Sequence, residues 1–98
     1  MTVRFHRLVQ RDVWQIMRYY ERESGVKLAD EFYDEFLRKA QESGANPNKF
    51  HFDSSGLRRA QLRRFPYHLL FRIREQSIFI LVLRHDRRHP SYGVRRKS

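Results

Sequence analysis

The chain has 98 residues, of which 40% are hydrophobic and 14% aromatic, so it is long enough for one domain with a packed core and too short for a second. It has no cysteine and no apolar run of the length that crosses a membrane, which excludes disulfide staples, thiolate zinc sites and a membrane span and leads us to expect a cytoplasmic protein. The formal net charge of +10 predicts a polyanionic partner, either nucleic acid or an acidic protein.

The first half of the chain predicts a strand followed by a helical hairpin. Residues 3–6 alternate apolar and polar side chains, as in a short strand. We expect Asp12 to cap a first helix that ends near Gly25, and an apolar stripe over residues 28–40 predicts a second helix. The short connection at Gly25 predicts that the two helices pack antiparallel.

The charge of the chain changes after the helices. Residues 1–53 carry nine basic and nine acidic side chains, whereas residues 54–98 carry twelve basic and two acidic ones. Most of the cations are arginine, whose planar guanidinium suits bidentate contacts with phosphate or carboxylate. Residues 57–64 alternate apolar and basic positions, which predicts a strand with Arg59 and Arg63 on one face.

Residues 67–74 and 77–85 form the clearest hairpin in the sequence, and the turn predicts that Leu70 lies opposite Leu81. One face of this hairpin is apolar and should lie under the helices. We expect a chain tail or a partner protein to cover the exposed apolar set on the other face, which consists of Leu70, Phe79, Leu81 and Leu83. These elements predict an α+β fold with an N-terminal strand, a helical hairpin and then a three-stranded antiparallel sheet.

Three local patterns spread over this order of elements: Tyr-Tyr-Glu at residues 19–21, Arg-Phe-Pro-Tyr at residues 64–67 and His-Asp-Arg-Arg-His-Pro at residues 85–90. Together they resemble the RelE/ParE superfamily of bacterial type II toxins, and the resemblance covers nearly the whole chain. It implies a growth-inhibiting toxin that a cognate antitoxin protein holds inactive. RelE-like members cut messenger RNA on the ribosome, whereas ParE-like members poison DNA gyrase, and the shared fold does not choose between them.

RNA cleavage without a metal needs a base, an acid and cations that stabilise the charged phosphate. The candidates are His85 as acid or base, Arg63 and Arg88 as phosphate-binding cations, and Tyr92 as a base-stacking or proton-donating residue. We therefore expect ribosome-dependent messenger RNA cleavage without a cofactor, with gyrase poisoning as the alternative. Two departures from the nuclease pattern favour ParE, since the predicted sheet has no lysine and the tyrosine does not closely follow the histidine.

The remaining predicted contacts are with macromolecules. Nucleic acid or an acidic antitoxin is expected to contact Arg58, Arg59, Arg64, Arg72, Arg84 and Arg87. The antitoxin is expected to cover the apolar residues Leu70, Phe79 and Leu81. No spacing of His and acidic residues predicts a metal site. An alternative of another class is a non-catalytic nucleic-acid-binding module, which would show salt-sensitive binding and no toxicity.

Overall fold

The computed structural model describes residues 1–97 and confirms the α+β architecture with a helical hairpin on one face of a sheet. The elements are β1 (Thr2–Phe5), α1 (Val9–Ser24), α2 (Val26–Ala45), a 3-10 turn (Pro47–Lys49), β2 (Arg58–Gln61), β3 (Tyr67–Arg74) and β4 (Ser77–His85). The sheet has four strands instead of three, in the order β1-β4-β3-β2, because β1 joins it parallel to β4. Within the described residues, no helix is long and apolar enough to span a membrane.

The two helices bury their apolar stripes against β3 and β4. Gly25 joins them with a φ of 98°, and its N–H donates to the Tyr20 and Glu21 carbonyls, which confirms the predicted end of α1. The core between the layers includes Val13, Phe32, Phe36, Leu69, Phe71, Ile78 and Ile80. The ring of Phe32 lies edge-on to those of Phe65 and Tyr67, so the Arg-Phe-Pro-Tyr segment is fixed by aromatic packing.

The first helix begins earlier than the sequence predicts. Its first residue is Val9, and the Leu8 N–H donates to Nδ1 of His6 at 3.0 Å. Asp12 therefore lies inside the first turn of α1, so the expectation that it caps the helix is wrong. Its side chain turns toward the sheet instead, where it is only 3% exposed.

Asp12 forms a buried ion pair with Arg96 of the tail, which we define as residues 86–97. The two carboxylate oxygens accept hydrogen bonds from both terminal guanidinium nitrogens, at 2.7 and 3.1 Å. Asp12 also accepts from the Leu83 N–H at 3.2 Å, and Arg96 donates to the Leu81 carbonyl at 3.0 Å. Because β1 pairs with β4 only as far as Ile80, this ion pair supplies hydrogen bonds at the part of the β4 edge that has no strand beside it.

The β3–β4 hairpin has the predicted register from its turn as far as Ile80, and a bulge shifts it by one residue beyond that point. Leu70 consequently faces Val82, so the predicted pairing of Leu70 with Leu81 is wrong. A shift by one residue exchanges the two faces of a strand. Leu83 therefore lies in the core under the helices, while Val82 joins Leu70 and Leu81 on the far face of the sheet.

The tail covers most of the apolar set that we expected to be exposed. Leu70 and Leu81 are fully buried and belong to a cluster against which Tyr92 and Val94 pack. Gly93 permits this close approach, since a Cβ added there would lie 2.5 Å from a methyl carbon of Val82. Because the tail of the chain itself covers Leu70 and Leu81, the prediction that they contact the antitoxin is wrong. Phe79 is partly exposed, and its contact with the antitoxin stays a prediction.

We expect the substitution Asp12→Asn to lower the free energy of unfolding by about 3 kcal/mol, because it leaves the partly buried guanidinium of Arg96 without its charge partner. Urea denaturation measures this loss. Asp34→Asn, which changes an exposed carboxylate on α2, is the matched control and should change stability by about 0.5 kcal/mol or less. A double variant with Arg96→Gln should lose less than the sum of the two single losses, and strict additivity would contradict the pairing.

Candidate functional site

A cleft of about 190 Å³ lies where α1, the end of β4 and the tail meet. It brings together three of the four predicted catalytic residues, His85, Arg88 and Tyr92, and α1 contributes Tyr19 to its lining. The bulge in β4 determines the place of His85, because the one-residue shift turns this side chain to the helix side of the sheet. There its ring stands edge-on to Tyr67, with 5.0 Å between the ring centroids.

The hydrogen bonding of His85 makes the ring a hydrogen-bond donor and not a base. Its Nδ1 accepts a hydrogen bond from the Arg87 backbone N–H at 3.0 Å. The proton of the neutral ring is therefore assigned to Nε2, which is left as a donor. Tyr67 does not add a base, because burial raises the pKa of its hydroxyl far above neutral pH. Among residues 1–97, no three His or acidic side chains are placed to hold a metal ion.

Tyr92 and Arg88 contact each other at the tail side of the cleft. The guanidinium carbon of Arg88 lies 4.0 Å from the centroid of the Tyr92 ring, a cation–π contact. The Tyr92 hydroxyl donates to Oδ1 of Asp12 at 3.3 Å and accepts from Arg96 at 3.4 Å. Both the ring and the hydroxyl of Tyr92 are thus engaged within the chain, where they help to anchor the tail.

Arg63 lies apart from the cleft. Strand β2 ends at Gln61, and in the following turn the buried Glu35 carboxylate accepts hydrogen bonds from the backbone N–H groups of Arg63 and Arg64. The expectation that Arg59 and Arg63 share a strand face is therefore wrong. Arg63 instead lines a depression of about 510 Å³ along α2, whose lining residues differ from those of the cleft.

Several of the arginines that we expected to contact a partner are bound inside the chain. Arg84 is buried and donates to the carbonyls of Pro90 and Tyr92 at 2.8 and 2.9 Å, so its expected role as a partner contact is wrong and it anchors the tail. The internal partners of the others are the Phe50 carbonyl for Arg58, Asp86 for Arg59 and Glu31 for Arg64. Within the described residues, Arg72 and Arg87 make no side-chain hydrogen bond or ion pair.

A chain of polar side chains links the buried Arg84 through the buried His68 to the exposed Asp86, and the sequence did not reveal it. Arg84 Nε donates to Nε2 of His68 at 2.9 Å, so the proton of the neutral ring is on Nδ1, which donates to Asp86 at 2.8 Å. The side chain of His68 is 1% exposed, and this burial lowers its pKa. Burial alone would raise the pKa of Asp86, but hydrogen bonds from His68 and Gln61 bring it below its ordinary value.

Comparisons with known proteins agree with the fold and the local patterns. Residues 3–90 match the family described as the ParE toxin of the type II toxin-antitoxin system, parDE. A chain of the solved structure of a chromosomal ParDE TA system from P. aeruginosa superposes with a TM-score of 0.78 at 20% sequence identity, over 87% of this chain and 95% of that one. No curated protein matches the chain. These matches confirm the resemblance that the three sequence patterns indicated.

We expect the stability of the fold to fall as the pH drops below about 6.5, the ordinary pKa of histidine. Since burial lowers the pKa of His68, the unfolded chain binds more protons than the folded chain below that pH, and acid favours unfolding. His6 contributes with the same sign, because burial and then the charges of Arg96 and Arg7 lower its pKa.

Urea denaturation at about pH 8 and about pH 5.5 measures this dependence, and the interval lies above the range in which Asp86 titrates. His68→Gln should make the loss of stability on acidification smaller. His51→Gln, a change at an exposed histidine, is the control and should leave the loss as it is in the unmodified chain. An equal loss in all three chains would contradict the role given to His68.

Proposed function

The chain belongs to the ParE toxin family of type II toxin-antitoxin systems, and from that premise we propose how it acts. It inhibits growth by acting on DNA gyrase, and a cognate antitoxin protein neutralises it. This order differs from that expected from the sequence, where messenger RNA cleavage came first and gyrase poisoning second. The hydrogen bonds of the cleft are the observation that favours gyrase.

The cleft offers a hydrogen-bond donor, Nε2–H of His85, but no base for RNA cleavage. A base must take a proton from the attacking 2′-hydroxyl, so it needs a free nitrogen or carboxylate oxygen. His85 presents Nε2–H, and its other ring nitrogen is occupied by the Arg87 N–H. Asp12 lies in the same cleft, but both its oxygens are bound by Arg96. General base catalysis would therefore require the cleft to rearrange.

The cations of the cleft also fit RNA cleavage poorly. The phosphate at the cut needs several cations placed around it. Of the two arginines that line the cleft, Arg84 is committed to backbone carbonyls of the tail and Arg88 lies over the ring of Tyr92. Arg63, the other predicted phosphate ligand, lies in a different depression. A single exposed cation beside a hydrogen-bond donor is better suited to contact with a protein target.

We propose that His85, Arg87 and Arg88 form the surface that contacts gyrase. His85, the last residue of β4, is partly exposed, and Arg87 and Arg88, which follow the strand, are exposed. The Arg84 bonds to Pro90 and Tyr92 hold the segment that follows, so these three side chains are presented by a braced turn. Preorganised side chains lose little conformational entropy when they bind.

We propose that the acidic antitoxin contacts the depression along α2. Its lining includes four cations, of which Lys39 pairs with Glu42 and Arg64 with Glu31, while Arg38 and Arg63 make no ion pair within residues 1–97. The two carboxylates there, Glu35 and Glu42, already accept hydrogen bonds from this part of the chain, including the backbone of Arg63 and the side chains of Lys39 and Lys49. Complementary charge of this kind speeds association and orients the partner.

Expression of the chain without its antitoxin should arrest growth and produce gyrase-linked DNA breaks with intact transcripts. With purified components, the chain should inhibit gyrase-catalysed supercoiling of a plasmid and leave a message on translating ribosomes uncut. The two reactions are run with the same preparation, so that a misfolded chain fails in both. Cleaved message with unaffected gyrase would overturn the gyrase proposal and favour the nuclease.

Arg88→Ala should weaken gyrase inhibition by about tenfold, the equivalent of about 1.4 kcal/mol of lost binding, because it removes an exposed cation from the proposed contact surface. Arg22→Ala, an equal change of charge on the exposed side of α1, is the control and should inhibit like the unmodified chain. The readout is the concentration that halves supercoiling activity. Equal inhibition by both variants would remove Arg88 from the contact surface.

A further inference from the structure

The far face of the sheet carries a group of arginines that the proposed function does not use. The tail covers this face beside the bulge, and the part near the β3–β4 turn remains open. We define the arginine face as Arg4, Arg72, Arg74 and the partly exposed Phe79 between them. We propose that the arginine face binds the phosphate backbone of duplex DNA.

Three strands bring these side chains together. Arg4 of β1 and Arg72 of β3 both pair with Phe79 of β4, so the three residues form one row across the sheet. Arg74 pairs with Ser77 in the next row on the same face. Residues that pair across neighbouring strands project to the same side. Arg4, Arg74, Ser77 and Phe79 accordingly line a common depression of about 360 Å³.

The charge of this surface is not neutralised within residues 1–97. None of the three arginines makes an ion pair there, and Nε of Arg72 is shielded from solvent without a hydrogen-bond partner. Glu75 is the one carboxylate that lines the depression. Arg4 and Arg74 line the depression beside Glu75, and Arg72 lies in the same row as Arg4 on this face. These guanidinium groups create a positive potential that an anion relieves, and guanidinium groups suit phosphate in particular.

The spacing of the arginines favours a duplex over a single strand. Neighbouring strands lie about 4.8 Å apart and alternate residues of a strand about 7 Å apart, so Arg4 and Arg72 are about 10 Å apart across the sheet and Arg74 lies one step further along. A duplex presents phosphates of two strands over a surface of this size, with a major groove about 12 Å wide. Proteins that bind single strands use exposed aromatic rings on which bases stack.

Phe79 does not provide such a ring. It is partly buried, it packs against the cluster under the tail, and the ring of His6 stands edge-on to it at 6.2 Å. The arginine face therefore offers cations without a stacking platform, as expected for contacts to a duplex backbone. This inference is independent of the proposed gyrase contacts, which lie at residues 85–88, so either proposal can fail without the other.

Fluorescence anisotropy with a labelled duplex of about 20 base pairs and mixed sequence, at salt concentrations from about 50 to 200 mM, tests the proposal. The unmodified chain should bind with an affinity that falls steeply with salt. In the triple variant Arg4→Gln, Arg72→Gln, Arg74→Gln, affinity at low salt should fall at least about tenfold. The slope of log K against log salt should become shallower by about 3, since each lost phosphate contact removes about 0.9.

The matched control is the triple variant Arg11→Gln, Arg18→Gln, Arg22→Gln, which removes the same charge from exposed positions of α1. Its affinity should stay within about threefold of that of the unmodified chain, because it lacks only the diffuse part of the attraction. If the first triple variant does not fold, the single variants Arg4→Gln and Arg74→Gln, both at exposed positions, are measured in its place. In each of them the slope of log K against log salt should become shallower by about 1.

Four outcomes would overturn the proposal. The first is equal loss of duplex affinity in both triple variants, and the second is tighter binding of the single strand than of the duplex of the same sequence. The third is loss of antitoxin binding with duplex binding unchanged, which would assign the arginine face to an acidic protein. Gyrase inhibition by a chain that does not bind duplex DNA would overturn this inference and leave the proposed function standing.

Discussion

A buried ion pair between Asp12 and Arg96 holds together the parts of the molecule that meet at the end of β4. Taking two charges out of water is costly unless geometry and further hydrogen bonds compensate. Here the carboxylate also accepts from the Leu83 N–H and the Tyr92 hydroxyl, and the guanidinium also donates to the Leu81 carbonyl. Burial alone would lower the pKa of Arg96, but the hydrogen bond and charge of Asp12 raise it, so the guanidinium stays charged.

The anchored tail accounts for the character of the cleft. Arg84, Arg96 and the Tyr92 hydroxyl all serve to hold the tail, and groups held in this way are not free for a reaction at a phosphate. What remains exposed is a short turn that carries Arg87 and Arg88 after His85. The proposed contact with a protein target therefore rests on the side chains that the scaffold leaves free, because a fold alone does not determine an activity.

The features that follow from neighbouring residues could be predicted from the sequence. The apolar stripes fixed both helices, Gly25 ended the first, and the turn set the register of β3 and β4 near Ser77. The position of β1 was harder, because a parallel edge strand depends on a partner far along the chain and no local pattern selects it. The sequence pattern therefore did not predict the strand order or the position of the tail.

The bulge could not be predicted, and the faces of the sheet on which Leu83 and His85 lie were therefore predicted wrongly. A one-residue shift leaves composition and alternation unchanged, and the groups that stabilise it here come from Asp12, 71 residues before Leu83, and from the tail. The hydrogen bond between His68 and Arg84 could not be predicted either, because in the sequence each residue looks like any polar position of a strand. Long-range polar contacts, which have no local signature in the sequence, therefore determine the register and the faces at the end of β4.

Native-state hydrogen exchange in the unmodified chain and in Asp12→Asn measures most directly whether this ion pair fixes the tail. We predict that in Asp12→Asn the amides of Leu83, Val94 and Arg96 exchange at least about tenfold faster, beyond any change in global stability. The Leu69 amide in the core should follow global stability alone. Equal acceleration of all these amides would mean that Asp12 contributes only to overall stability and that other contacts position the tail.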